Sequence, residues 1–354
     1  MSKRIVLTGG GTSGHVTPNL ALLPHLQAMG WTVDYIGSRH GVEKDLLAVT
    51  NIPYHPIFCG KLRRYFSWQN FIDPFLMLFG VMQSFLILRR LKAKVVFSKG
   101  GFVSLPVVIG AYLNRIPVII HESDMTPGLA NRLSFPFAKL ICLNFEQTKR
   151  AFKSNHKIRV TGSPIRDDLL QGNKTQGLKW CHFTADKPCL LVIGGSLGSA
   201  ALNQCVRSAL PELTTSYQVI HLCGKGKLDK QLSNTPYYHQ QEYAHDELAH
   251  LYAASDVILS RAGANSVCEL LALCKPHILV PLSRQVSRGD QVDNAAYFEK
   301  QGISMVIAEE DLNSTTLLNA LDQLAITQQE RVTKMTQLSM SSATQVILKL
   351  IAST

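Results

Sequence analysis

At 354 residues the chain is long enough for two domains with separate cores, and its 46% apolar and 17% charged content excludes a disordered or low-complexity protein. A net charge of +11 points to an anionic partner: nucleic acid, an acidic membrane surface or a phosphorylated substrate. The eight cysteines (Cys59, Cys142, Cys181, Cys189, Cys205, Cys223, Cys268 and Cys274) form no Cys-x-x-Cys pair and no zinc-like spacing. Several lie in apolar runs, where a thiol behaves as a small hydrophobe, and the N-terminus enters a β-type run within a few residues. This predicts a reduced, cytoplasmic protein without a signal peptide.

The first apolar run, 5–7, leads into Thr8-Gly9-Gly10-Gly11-Thr12-Ser13-Gly14-His15. Glycines let a backbone approach a phosphate closely, and the N–H groups of a following helix attract its charge. His15, expected at the helix start, has the chemistry to take a proton from a hydroxyl, to cap the helix or to donate to a phosphate. Further buried parallel strands are predicted at 32–36, 95–97, 118–120, 140–143 and 158–161, with Gly162-Ser163-Pro164 as a hinge. Arg166, just after that hinge, reads either as a cationic donor for a diphosphate or as surface charge. Residues 71–88 break the pattern. They are strongly apolar, interrupted by Asp73-Pro74 and Gln83-Ser84, and flanked by Lys61, Arg63, Arg64, Arg89, Arg90, Lys92 and Lys94. A spanning helix needs about 20 clean apolar residues, so two readings stand: a helix in the membrane interface with cationic flanks, or a core helix.

The second half restarts with Leu190-Leu191-Val192-Ile193-Gly194-Gly195-Ser196-Leu197-Gly198-Ser199, again a strand, a glycine cluster and a helix. Strands are predicted at 189–193, 218–222, 257–259, 277–280 and 304–307, helices at 201–210 and 266–273, and a closing helical stretch at 328–351 that packs back. Between Ser260 and Glu269 a strand ends, small residues turn the chain and a helix begins near Ala264. Glu269, in its second turn, reads as a grip on ribose hydroxyls or as a helix-dipole contact. The polar segment 287–294 is expected to form a loop, and no Asp-x-Asp triplet occurs to bridge a metal to a sugar nucleotide. A departing diphosphate would therefore rest on helix N-termini and on hydroxyl or arginine donors. Regular β-α alternation with two glycine loops predicts an α/β protein of two doubly wound domains facing a central cleft, suited to joining two phosphate-bearing substrates.

Taken in order, Gly9–His15, Ser98-Lys99-Gly100-Gly101-Phe102-Val103-Ser104, His121-Glu122-Ser123-Asp124, 162–166, 194–198, 261–269 and 290–294 resemble the MurG family of peptidoglycan glycosyltransferases over nearly the whole chain. The resemblance implies a GT-B fold of two Rossmann-like domains. Residues 1–163 would bind the acceptor and the membrane, with 338–354 packing back on them, and 164–337 would bind the UDP-sugar donor. It further implies inverting, metal-independent transfer of N-acetylglucosamine from UDP-N-acetylglucosamine to lipid I, forming lipid II. The enzyme would sit peripherally on the cytoplasmic face of an anionic phospholipid membrane, with no cofactor and no nucleic acid partner. Carried over by motif, His15 is the base, and Thr12, Ser13 and Gly14 line the sugar and diphosphate region. Arg166, Ser196 and Gln291 contact the donor, and Ala244 meets uracil through its backbone. Ala264, Asn265, Ser266, Val267 and Cys268 hold phosphates and ribose, with Glu269 on the ribose hydroxyls. Two positions depart from the family pattern. Ser13 replaces a common glycine and either narrows the loop or adds a hydroxyl donor, while Asp124 replaces a common asparagine and, when ionised, accepts but cannot donate. The rival readings are another glycolipid glycosyltransferase, a UDP-sugar epimerase, or a non-catalytic lipid- or nucleic-acid-binding protein. The epimerase needs no lipid acceptor, and a binding protein needs neither His15, Glu269 nor both glycine loops.

Overall fold

The computed structural model describes residues 3–60, 69–153, 157–195, 197–338 and 343–354, with the side chains of 69–72 left aside. The chain divides into two compact units, Met1–Arg166 with Ser341–Thr354, and Asp167–Met340.

The first unit is a seven-stranded parallel sheet of β1 (Lys3–Thr8), β2 (Trp31–Ser38), β3 (Tyr54–Ile57), β4 (Val95–Ser98), β5 (Val118–Glu122), β6 (Leu140–Leu143) and β7 (Ile158–Val160), in the order β3-β2-β1-β4-β5-β6-β7. Its helices are α1 (Thr17–Ala28), α2 (Val42–Leu47), α3 (Gln69–Leu91), α4 (Ser104–Leu113) and α5 (Leu129–Ser134). Both faces of the sheet are covered, because successive strand side chains point to opposite sides. Ile5, Leu7, Val95 and Phe97 pack with Leu22 and Leu26 of α1 on one side. Val6 and Val96 pack with Leu88 of α3 and Val107, Val108 and Ala111 of α4 on the other.

The second unit repeats the plan with six parallel strands: β8 (Cys189–Ile193), β9 (Gln218–Leu222), β10 (Tyr238–Gln241), β11 (Val257–Ser260), β12 (His277–Leu279) and β13 (Met305–Val306). Their order is β10-β9-β8-β11-β12-β13. Around them stand α6 (Lys174–Trp180), α7 (Ala200–Ser208), α8 (Leu210–Ser216), α9 (Leu248–Ala254), α10 (Ala264–Ala272), α11 (Asp290–Lys300) and α12 (Ser314–Gln337). A capping box between Asn313 and Thr316 starts α12, whose Leu317, Leu321 and Leu324 close the core over Leu190, Val192, Leu259 and Ile278. The last helix, α13 (Ala343–Ala352), returns to the first unit, where Ile347, Leu348 and Ile351 join Ile5 and Leu7.

Both sheets reverse strand order beside their first strand, between β1 and β4 and between β8 and β11. Crevices at the carboxyl ends of strands flanking such a reversal are where open α/β sheets bind ligands. Four segments leave those strand ends: Gly9–His15 after β1, Lys99–Val103 after β4, 194–199 after β8 and 261–263 after β11.

Several expectations are revised. The stretch 328–351 is not one helix: α12 and α13 belong to different units, and 339–342 lie outside the described residues. The 201–210 helix divides into α7 and α8, with Pro211 in the first turn of α8. Strands β3 and β10 were not foreseen. They form one edge of each sheet and read Tyr-His-Pro-Ile and Tyr-His-Gln-Gln, without the apolar run of a central strand.

Helix α3 has one face in the core and an apolar face that is exposed. Gly80, Ser84 and Leu88 are buried, Gln83 Oε1 accepts the Phe58 N–H (2.8 Å), and Asn114 Nδ2 donates to the Phe85 carbonyl (2.9 Å). Gly80, Gln83 and Ser84 thus face the protein, whereas Pro74 of the earlier interruption is exposed. Phe75, Leu78, Phe79, Met82 and Leu86 form the opposite stripe, each 58–66% exposed. Asp73–Leu91 is long and apolar enough to cross a membrane by length and composition, yet one face is committed to α4 and β3. Arg89, Arg90, Lys92 and Lys94 at its end are exposed, and Lys61, Arg63 and Arg64 lie outside the described residues.

Candidate active site

In the first unit, the expected helix does not start at His15. Ser13–His15 is a separate 3-10 turn, and α1 begins at Thr17 with Pro18 in its first turn. Nor do the loop's first glycines offer their amides outward. The Gly10 N–H donates to the Gly100 carbonyl (3.3 Å) and the Gly11 N–H to Glu43 Oε2 (3.2 Å). The Gly10 and Gly11 amides are therefore committed within the protein. Thr12 is exposed and Ser13, Gly14 and His15 partly so, and Thr12 Oγ1 lies 2.9 Å from His15 Nδ1.

The Lys99–Val103 loop lies directly behind. Lys99 is buried, and its ammonium donates to His121 Nδ1 (2.7 Å) and to Ser123 Oγ. Because Lys99 has only donors, His121 must carry its proton on Nε2, which donates to the Gly162 carbonyl (2.8 Å). Burial, and then the Lys99 charge, hold the imidazole well below its usual pKa, so it is neutral. Glu122 organises the next turn by accepting from the Asp124 N–H (3.0 Å), the Gly128 N–H (3.1 Å) and Asn131 Nδ2 (2.9 Å). The Asp124 side chain is partly exposed in this turn, and Arg166, also partly exposed, is the last residue of the unit's main segment.

In the second unit, Ser196 lies outside the described residues. Around it, a Cβ on Gly198 would sit 2.0 Å from the Cys223 carbonyl, so only glycine lets these two backbones touch. Lys227 Nζ donates to the Leu197 carbonyl (2.8 Å), and Ser199 caps α7. Beneath, Asn203 Nδ2 holds the Cys223 carbonyl (2.9 Å) while its Oδ1 accepts from His221 Nε2 (2.9 Å). Tyr238 then donates to His221 Nδ1 (2.9 Å), and burial pushes this imidazole down to about 3.

After β11, Arg261 pairs with Glu309 and donates to Ser199 Oγ (2.7 Å) and the Val280 carbonyl (3.1 Å), bolting three loop segments together. Asn294 of α11, buried, donates to the Ala262 carbonyl (3.2 Å). Helix α10 starts at Ala264 without a side-chain cap. Its residues divide cleanly: the Ala264, Val267 and Cys268 side chains are buried, leaving only their main chain for a ligand, whereas Asn265, Ser266 and Glu269 are partly exposed. Asn265 and Glu269 stand one turn apart on one face, and the Tyr252 hydroxyl lies 3.5 Å from Glu269 Oε2. Gln291 Oε1 accepts the Leu282 N–H (3.0 Å), which orients its amide, and Ala244 is partly exposed in the segment between β10 and α9. Among the described residues no three His, Cys, Asp or Glu side chains converge as a metal site.

Residues 5–142 match the Glycosyltransferase family 28 N-terminal domain and residues 189–350 the Glycosyltransferase family 28 C-terminal domain. A Legionella pneumophila (strain Lens) protein is 57% identical over 351 residues, covering 99% of this chain and 97% of the relative. It bears the name UDP-N-acetylglucosamine--N-acetylmuramyl-(pentapeptide) pyrophosphoryl-undecaprenol N-acetylglucosamine transferase. A Clostridium novyi (strain NT) protein of the same name is 52% identical over 353 residues, covering 99% of each chain. This chain belongs to glycosyltransferase family 28, in its MurG group. The solved structure of Acinetobacter baumannii MurG superposes with a TM-score of 0.77 at 28% identity, covering 99% of this family 28 chain and 100% of that one. The GT-B architecture expected from the sequence accordingly holds: two parallel α/β sheets, each in a family 28 domain.

Sequence reasoning passed over Glu43, Lys99, Arg261 and Asn294 as individual residues. Each is a polar or charged side chain adjoining a glycine-containing turn, and each makes its bonds to a loop distant in sequence. A lysine between the end of an apolar strand and a glycine pair was the legible signal for Lys99.

Proposed function

We propose that this chain carries the reaction its relatives are named for: transfer of N-acetylglucosamine from UDP-N-acetylglucosamine to lipid I, giving lipid II of peptidoglycan synthesis. The observation that carries the residue assignment is the placing of Gly9–His15 and of 261–269 at the strand-order reversals of their sheets. The acceptor sugar's hydroxyl attacks the anomeric carbon from the face opposite UDP. A new C–O bond forms, the bond to the β-phosphate oxygen breaks, and configuration inverts. His15 takes the hydroxyl proton. With Nδ1–H donating to Thr12 Oγ1, the Nε2 lone pair is the base. Thr12, Ser13 and Gly14 line the acceptor side, and Asp124 accepts from a sugar hydroxyl. On the donor side the α10 N-terminus (Ala264, Asn265, Ser266, and the main chain of Val267 and Cys268) meets the diphosphate, and its dipole offsets the leaving charge. Arg166, Ser196 and Gln291 add donors, Glu269 holds the ribose hydroxyls and the Ala244 backbone meets uracil.

The absence of an Asp-x-Asp triplet from the sequence supports a leaving group stabilised without metal. One tube tests both statements. Labelled UDP-N-acetylglucosamine and a lipid I analogue in excess EDTA should yield labelled lipid II analogue. Failure to label under any metal condition refutes the transfer, and label that appears only on adding magnesium or manganese refutes the metal-free leaving group.

The Phe75–Leu86 stripe of α3 and the basic residues after it support peripheral attachment to the cytoplasmic face of an anionic membrane, where lipid I is held. Basic residues near such a surface contribute about 1 kcal/mol each, roughly fivefold in affinity. Replacing Arg89 and Arg90 with glutamate should cut binding to anionic vesicles more than 10-fold on that arithmetic, and salt should weaken the wild type. Replacing Phe75 and Phe79 with serine should also release the protein. Equal co-sedimentation of all three, with circular dichroism unchanged, assigns the stripe to something other than lipid.

A further inference from the structure

Glu43 is fully buried, and neither the transfer nor the core explains a carboxylate there. It lies in α2, one residue past the helix start, outside every glycine motif of the chain. Its Oε1 accepts the Ser38 N–H (2.9 Å) and the Ser38 hydroxyl, so one oxygen is anchored to the end of β2. Its Oε2 accepts the Gly11 N–H (3.2 Å), so the other is anchored to the loop after β1. The fit on both sides leaves no slack. A Cβ on Gly10 would sit 2.6–2.8 Å from the carboxylate atoms, and one on Gly41 would sit 2.3 Å from both oxygens. Three donors on one buried carboxylate is a well-satisfied charge, and each bond to the charged group is stronger than a neutral one.

We propose that Glu43 is a positioning residue for the transfer: it clamps the Gly10–Gly11 backbone and thereby sets the Thr12–His15 pair. The path is short. The residue after the clamped Gly11 amide is Thr12, whose hydroxyl is 2.9 Å from His15 Nδ1. Release of Gly11 frees Thr12 to move, and the imidazole loses its Thr12 contact. A base displaced by about 1 Å can cost about 10²-fold in rate while binding is preserved. Glu43 reaches none of this by touching substrate. The proposal rests on the reading of His15 as the base.

A double-mutant cycle with His15 tests it, using the full chain, a lipid I analogue and saturating UDP-N-acetylglucosamine. Glu43→Gln keeps the shape but turns one acceptor into a donor facing other donors. It should lower kcat by roughly 10- to 100-fold, with KM for both substrates within about twofold of wild type. In a His15→Ala background it should cost little more, because the pair acts on one step. A Glu43→Gln kcat within about twofold of wild type overturns the positioning role and leaves His15 untouched. So does a loss of equal size in both backgrounds. A His15→Ala enzyme with normal kcat overturns the base reading itself, and the positioning role with it. If Glu43→Gln melts well below wild type, Glu43→Asp takes its place with the same outcomes. It keeps the charge and the Ser38 bonds but withdraws the reach to Gly11.

Discussion

His15→Ala should lower kcat by about 10²–10⁴-fold, the usual contribution of a positioned general base, while affinity for UDP stays at the wild-type value. A sugar hydroxyl is a poor nucleophile at neutral pH and must lose its proton as the new bond forms. His15 is partly exposed, at the end of the 3-10 turn that follows β1, with Nδ1 engaged by Thr12. Its partial exposure separates it from the chain's other well-placed histidines. His121 and His221 are buried, have both ring nitrogens in hydrogen bonds, and are held neutral far below the physiological range, so neither can serve as base. Steady-state kinetics at saturating donor with varied lipid I analogue is the measurement. A raised acceptor KM with kcat intact makes His15 a binding residue, and kcat within a few-fold of wild type moves the base elsewhere.

What could be read from the sequence followed burial. Central strands such as Ile5–Val6–Leu7 and Leu190–Leu191–Val192 are covered on both faces, so they appear as apolar runs and were located to within a residue or two. Edge strands β3 and β10 carry histidine, proline and glutamine because one side lacks a neighbouring strand, and they left no such run. The glycine loops were legible as loops, but their hydrogen bonds were not. Nothing in Gly9-Gly10-Gly11 announces that two of its amides end on Gly100 and Glu43, since one partner comes from the turn after β4 and the other from α2. The same limit applied to α10. Its start at Ala264 was readable from small residues after a strand, yet the burial of Val267 and Cys268 follows from which helix face meets the sheet. Residues that support the loops are dispersed in sequence, and only folding collects them. Arg261 reaching Ser199, Val280 and Glu309 is the clearest case.

Glu269→Ala should weaken UDP binding roughly ten- to a hundred-fold, the ~1.5–3 kcal/mol typical of a hydrogen bond to a charged group. Glu269 is the one acidic residue of α10 and shares its partly exposed face with Asn265 and Ser266. A carboxylate can accept from both hydroxyls of a ribose, which neither a backbone N–H nor an arginine can do. The competing role is a contact with the dipole of its own helix. Glu269 sits in the second turn, where that field has already faded, and a dipole contact there would act on stability rather than on ligand. Calorimetry and thermal melting on the same samples separate the two. A ribose grip predicts lost UDP affinity with the melting temperature of the free protein little changed, and 2′-deoxy-UDP should show a smaller penalty from the mutation than UDP. A dipole contact predicts the reverse: a lowered melting temperature and unchanged UDP affinity. Tyr252→Phe provides the inner control. Its hydroxyl is only 3.5 Å from Glu269 Oε2, a long and weak bond, so its removal should cost much less than loss of the carboxylate. Were Tyr252→Phe to match Glu269→Ala, the tyrosine rather than the glutamate would be the group that meets the nucleotide.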